Sequence, residues 1–286
     1  MNINWYPGHM AKAKKSLTEN LFLIDIIIEL VDARIPVSSK NPDIKNLAPS
    51  KFKVLLLNKS DLADPEITKK FIELLKKNNY NCLDIDCLTK KNFDKLNNLI
   101  NKFALDKKQR LKSRGRIFSP VRIMVVGIPN VGKSSFINKF VNKKIAKTAD
   151  KPGVTLSKQW IKINKDIELL DTPGILWPKL NNKAIALNLA FTGAIKNNNL
   201  DLYDLALKLI DRLNLINPDI LLKRYNAKKD IASNQIKLIA KNRGFIKKSG
   251  ELDLERAAII LLDEFKSGKL GKITLENYVL ENNIML

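Results

Sequence analysis

At 286 residues the chain exceeds what one compact core needs, and its 45% hydrophobic and 28% charged content is globular rather than disordered. Its 51 Lys and Arg against 29 Asp and Glu leave a net charge of +22, which implies a polyanionic partner because each neutralised phosphate releases counterions. The short, charge-broken apolar runs, the absence of a signal-peptide core and the two lone cysteines, Cys82 and Cys87, exclude a membrane span, export and a disulfide or zinc framework, so a cytoplasmic protein is expected.

In chain order, residues 9–22 read as a short basic helix and 25–31 as a buried strand ending at Asp32. A second buried strand spans 53–58, and Pro65 opens a helix running to about Lys77. Residues 81–86 resemble a third strand and 92–105 a helix, followed by a linker over 107–116 that is dense in Lys and Arg and broken by Gly115. A Val/Ile/Met strand at 121–126 leads through a glycine-rich turn into a helix from Lys133, and 160–163 with 166–170 suggest a hairpin around Asn164-Lys165. Strands alternating with helices predict an open α/β sheet. After residue 179 the strand-like runs vanish, and 184–195, 202–213, 231–241, 254–265 and 275–280 show helical spacing. Two domains are expected, α/β over 1–178 and smaller and all-helical over 179–286.

Chemistry concentrates in the first of these. Gly-Ile-Pro-Asn-Val-Gly-Lys-Ser at 127–134 fits the phosphate-binding loop in full, with a strand before it and a helix after it. The loop's backbone N–H groups, those of Asn130, Val131, Gly132, Lys133, Ser134 and Ser135 among them, can wrap phosphate oxygens at the positive end of the helix. Lys133 should reach the β- and γ-phosphates, and the Ser134 hydroxyl should ligate Mg²⁺. Asp171-Thr-Pro-Gly174 follows a strand. Its Asp171 can hold Mg²⁺ through water, the Gly174 N–H can face a γ-phosphate, and Thr155 between the two motifs is the natural second Mg²⁺ hydroxyl. Asn58-Lys59-Ser60-Asp61 ends a buried strand, where an Asp can accept both N1–H and N2–H₂ of guanine and so favours GTP and GDP over adenine nucleotides. An ATP-binding P-loop protein is the competing reading.

The order is unusual, because the guanine motif precedes the phosphate loop and nothing after Gly174 repeats it. Chain order can change while a site made of strand ends survives. In this order the sequence resembles the circularly permuted GTPases of the ribosome biogenesis GTPase A family, the YlqF/RbgA type. The resemblance rests on Trp5-Tyr-Pro-Gly-His-Met10, Asp32-Ala-Arg-Ile-Pro36, Asn58 to Asp61, the phosphate loop through Ser135, Pro152-Gly-Val-Thr155, Asp171 to Gly174 and Gly268-Lys-Leu-Gly271. It implies a circularly permuted Ras-like GTPase domain followed by a helical domain, a GTP hydrolase acting in assembly of the large ribosomal subunit, and binding to its rRNA. No membrane or DNA partner and a monomer are expected.

Further roles follow from that resemblance. The loop after the third strand, Asp86-Cys87, occupies the place of a second guanine contact, although the family's Ser-Ala character is missing there; Cys87 reads equally as a small buried hydrophobe. Ile175 stands where Ras-like proteins keep a water-orienting Gln, and the resemblance gives that task to His9, the only histidine. The alternative is an exposed His9 that contacts the ribosome for other reasons. Asn130 sits where similar GTPases hold a K⁺ ion, or it serves only to turn the loop. A non-catalytic, GTP-switched RNA-binding scaffold remains the alternative function. A small-subunit permuted GTPase would carry a cysteine cluster or an OB barrel.

Overall fold

The structure, a computed structural model, describes residues 18–42, 44, 48–117, 119–142, 159–171, 182–195 and 201–277, with Gln159 and Asp171 described in backbone only. Six strands form one sheet: β1 (Ile26–Asp32), β2 (Phe52–Asn58), β3 (Asn81–Asp84), β4 (Val121–Gly127), β5 (Gln159–Lys162) and β6 (Ile167–Asp171). Their order is β3-β2-β1-β4-β6-β5, with every pair parallel except β5 and β6. β1 is buried along its whole length, as the near-continuous Ile-Ile-Ile-Glu-Leu-Val run requires of a central parallel strand.

Helices α1 (Pro65–Lys77), α2 (Phe93–Ser113) and α3 (Lys133–Val141) cover the sheet. Asp64 starts α1 by accepting the N–H groups of Glu66 and Ile67, with Pro65 at the first helical position. Side chains alternate along β1. Ile26, Ile28 and Leu30 join the core formed with α2 and α3, whereas Val31 meets Phe71 and Leu75 of α1.

Within the expected 107–116 linker, 107–113 are corrected to helix, since α2 continues to Ser113, and the turn at Arg114 and Gly115 ends it. Apolar spacing fades there, but Lys, Gln and Arg are strong helix formers. Lys107 also anchors the turn, with its ammonium 2.8 Å from Asp25 Oδ2 and 3.0 Å from the Pro120 carbonyl.

Five further helices follow: α4 (Lys183–Phe191), α5 (Leu202–Ile216), α6 (Asp219–Tyr225), α7 (Ala232–Asn242) and α8 (Leu254–Lys266). The sequence did not suggest α6, which at seven residues is too short to display a period. Leu209, Leu213, Ile236, Leu261 and Phe265 bind α5, α7 and α8 together, and their core is continuous with that of the sheet through Leu189 and Phe191 of α4. Of the helix expected over 275–280, Leu275 and Glu276 form a turn, Asn277 is helical and 278–280 lie outside the described residues. That turn is held against the sheet, where the Ile273 N–H donates to Leu62 O and the Leu275 N–H to Arg34 O. The basic helix expected over 9–22 lies largely outside the described residues; its described end is helical at 18–20 and passes into a 3-10 turn over Leu21–Leu23. Among the described residues no helix is long and apolar enough to cross a membrane.

Candidate guanine-nucleotide site

In a doubly wound sheet, ligands sit beyond the carboxyl ends of the strands where the strand order reverses. Here that point lies between β1 and β4, and the motif residues collect around it. β4 ends at Gly127, where any Cβ would stand 2.7 Å from the Leu30 carbonyl oxygen of the neighbouring strand. The loop then turns through Asn130 (φ 57°) and Gly132 (φ 98°) into α3, whose N-terminal N–H groups face the loop's concavity. Lys133 is buried, and its ammonium lies 3.3 Å from Gly127 O and 3.1 Å from Ile128 O. Ser134 is half-buried and Ser135 exposed on the first turn of α3.

Asn58 is the last residue of β2, two strands from β4, and its side chain spans the gap. Its Nδ2 donates to Val131 O at 2.7 Å. Lys59 (φ 59°) donates to Asn130 O at 2.7 Å. The two motifs, 73 and 71 residues apart at these contacts, are thus fastened directly together. The Cys87 thiol donates to Asn58 Oδ1 at 3.4 Å, so the amide is held from both sides. Burial, followed by the Asp86 and Asp61 charges, pushes that thiol up to about 12 and keeps it neutral.

Asp61 is half-buried, and its carboxyl is raised first by that burial and then by Asp86. Asp86 moves the other way. Despite its burial, hydrogen bonds from the Thr89 hydroxyl and from the Leu88 and Thr89 N–H groups hold its carboxyl below the usual range. The Ser60 hydroxyl is buried without a hydrogen-bond partner among the described residues.

Asp171 ends β6 in register with Val125 of β4, which puts its backbone beside the strand that feeds the phosphate loop. Its side chain, along with Thr155, Gly174, Ile175 and His9, lies outside the described residues.

Two residues of the Asp32-Ala-Arg motif had no assigned role in the sequence and prove central to the site's support. The Asp32 carboxylate is fully buried and paired with Arg34 at 2.8 Å and Lys59 at 3.4 Å. These cations overcome the cost of burial and hold its carboxyl well below the ordinary range. Asn130 Nδ2 donates to Gly193 O just after α4, so the phosphate loop also touches the helical half.

A phosphate loop on the central strand, joined to an Asn-Lys-Ser-Asp motif from earlier in the chain, defines a circularly permuted P-loop GTPase. The chain matches the family described as 50S ribosome-binding GTPase over residues 122–243, a span that begins in β4 and leaves Asn58 to Asp61 outside, as permutation requires. It is 42% identical over 279 residues to the ribosome biogenesis GTPase A of Bacillus cereus, covering 96% of this chain and 94% of that one. Identity to the Priestia megaterium protein is 42% over 282 residues, covering 97% of each chain. The solved GDP-bound YlqF superposes with a TM-score of 0.66 at 25% identity, covering 91% of this chain and 98% of the other. The GNP-bound YlqF of Thermotoga maritima gives a TM-score of 0.64 at 26% identity, covering 93% and 97%. The chain belongs to the ribosome biogenesis GTPase A family. It is a GTP hydrolase, which sets aside the ATPase and the non-catalytic scaffold readings.

Proposed function

We propose that this GTPase is an assembly factor of the large (50S) ribosomal subunit, binding rRNA in its Mg²⁺-GTP state and leaving after hydrolysis. The bond pair from Asn58 and Lys59 to the phosphate loop carries the nucleotide part of this reading, because it unites a base-reading and a phosphate-binding element in one pocket. The description of the matched family and the net charge of +22 support the ribosomal part.

In this reading Asp61 accepts from the guanine edge, Ser60 lies beside it and Asp86-Cys87 shape the far side of the base. The elevated carboxyl of Asp61 fits a group that gains when two N–H donors arrive. The loop amides from Asn130 to Ser135 cradle the phosphates, and Lys133 contributes its charge to the β- and γ-oxygens. Mg²⁺ would be held by the Ser134 and Thr155 hydroxyls, with Asp171 acting through water. That sparse oxygen set suits a metal that keeps phosphate oxygens and waters as its other ligands. When bound, the metal supplies charge neutralisation. Gly174 faces the γ-phosphate, Asn130 offers its Oδ1 to K⁺, and His9 orients the attacking water. Residues 1–178 form the GTPase domain and 179–286 the rRNA-binding domain of a cytoplasmic monomer with neither membrane nor DNA partners.

GTP turnover measured with and without isolated large subunits tests this. The subunits should accelerate the parent. His9→Ala should keep nucleotide affinity and subunit binding but lose the stimulation, the pattern of an interaction made only in the transition state. A rate indifferent to large subunits would overturn the proposal.

A further inference from the structure

A buried, heavily bonded side chain beside the nucleotide motifs belongs to Arg34, which no step above uses. Its guanidinium forks onto Asp32, with Nε 2.9 Å from Oδ1 and one terminal nitrogen 2.8 Å from Oδ2. The other terminal nitrogen donates to the Lys266 carbonyl at 3.1 Å and the Phe265 carbonyl at 3.4 Å. Those two carbonyls belong to the last turn of α8, where Phe265 O also accepts the Gly268 N–H at 3.2 Å. The guanidinium also lies 5.5 Å from the centroid of the Phe265 ring, and the Arg34 carbonyl accepts the Leu275 N–H at 2.8 Å.

From Asp32 the contacts continue to the nucleotide motifs. Lys59 stands 3.4 Å from Asp32 Oδ2 and donates to Asn130 O, while Asn130 Nδ2 donates to Gly193 O. Gly193 packs against the Lys266 side chain, so a Cβ there would lie 3.7 Å from Lys266 Cε. The contacts therefore close into a ring. It runs from Lys59 through Asp32 and Arg34 to the end of α8, then back through Gly193 and Asn130 to Lys59.

We propose that Arg34 is a positioning residue for nucleotide binding. By neutralising Asp32 it leaves the Lys59 ammonium directed at the phosphate loop, and by capping α8 it makes that arrangement depend on the docking of the helical half. Without the Arg34 guanidinium the buried Asp32 carboxylate would keep the residue-34 N–H at 3.0 Å but only one cation, Lys59, and would draw it off the Asn130 carbonyl, because a buried charge left with one charged partner binds it more strongly. The coupling is reciprocal: a nucleotide that fixes Lys59 and Asn130 also tightens the α8 end and the segment after it. This rests on the reading that Asn58 to Asp61 and the phosphate loop hold the nucleotide.

The test is a titration of the full chain with fluorescent GDP and GTP, alongside steady-state hydrolysis. Arg34→Met should weaken both nucleotides equally, by about tenfold. Binding stoichiometry and kcat at saturating GTP should stay at parent values, whereas partial unfolding would lower the stoichiometry instead. Arg34→Lys, which cannot span Asp32 and the α8 carbonyls together, should fall between the two. In combination with Lys59→Met the loss should be no greater than the larger single loss, since both act through one contact. A parent-like affinity for Arg34→Met, or losses that multiply in the double variant, would overturn the inference. If Arg34→Met does not fold, hydrogen exchange in the parent decides: GDP should slow exchange at residues 267–275, and indifference there would overturn it. The parent's own titration separates the levels. GDP binding by the parent with an unshifted variant fails only the inference, whereas no binding by the parent fails the site reading beneath it.

Discussion

Asn58 to Asp61 and Gly127 to Ser135 are legible in the sequence because each is contiguous and its spacing is set by one turn. The residues that hold them are not. Nothing local connects Cys87 to Asn58 or Asn130 to Gly193, and those contacts decide which way each amide points. Replacing Asp61 with Asn should weaken GTP and GDP binding and shift preference toward xanthine nucleotides, whose O2 can accept from the new amide. Competition binding with XTP measures this, and unchanged GTP affinity with no gain for XTP would remove Asp61 from the base site. Gly132 tests the junction of the two motifs. At φ 98° it favours glycine, and an added Cβ would run into the Asn58 amide nitrogen. Gly132→Ala should therefore cost roughly 1–3 kcal/mol in urea unfolding and lower nucleotide affinity. Parent-like values in both measurements would show that the loop and Asn58 are not in register.

Among the elements, the strands and most helices follow from the pattern, because a buried parallel sheet reads as apolar runs and an amphipathic helix as a period. The exceptions have physical causes. α2 outlasts its apolar period on helix-forming Lys, Gln and Arg, and α6 is too short to show one. Glu29 is the other anomaly, a carboxyl within β1 at a fully buried position, accepting the Asn41 N–H at 2.8 Å. Burial pushes it up to about 7 from 4.5, against the pull of the Asn41 N–H and of Lys40 and Lys53. The folded chain therefore binds this proton more tightly than the unfolded chain. The resulting stability is complete below pH 4.5 and drains away as pH rises through about 7, a loss of about 3 kcal/mol. Glu29→Gln keeps an acceptor for Asn41 and removes the titration. Its Tm should be flatter than the parent's between about pH 5 and 8, and higher than the parent's above pH 7. A variant that retains the parent's decline would place the titration elsewhere.

For the whole molecule, the +22 charge was visible at once, whereas the way the two halves join was not. Glu276 accepts from the Val37 and Ser38 N–H groups, the Ser38 hydroxyl and the Asn188 amide, bringing together residues up to 239 apart in sequence. No local pattern carries contacts of that range. The motif order did reveal the permutation, because the strand order places β4 beside β1 whichever comes first in the chain. In the proposed function this arrangement makes the chain a GTP-dependent ligand of large ribosomal subunits. Co-sedimentation with isolated large and small subunits, in a non-hydrolysable GTP analogue or GDP and across a salt series, tests it most directly. We expect retention on large subunits with the analogue, little with GDP or on small subunits, and a steep fall with salt as phosphate contacts are lost. Equal retention on both subunits, indifference to the nucleotide or binding unaffected by salt would contradict it.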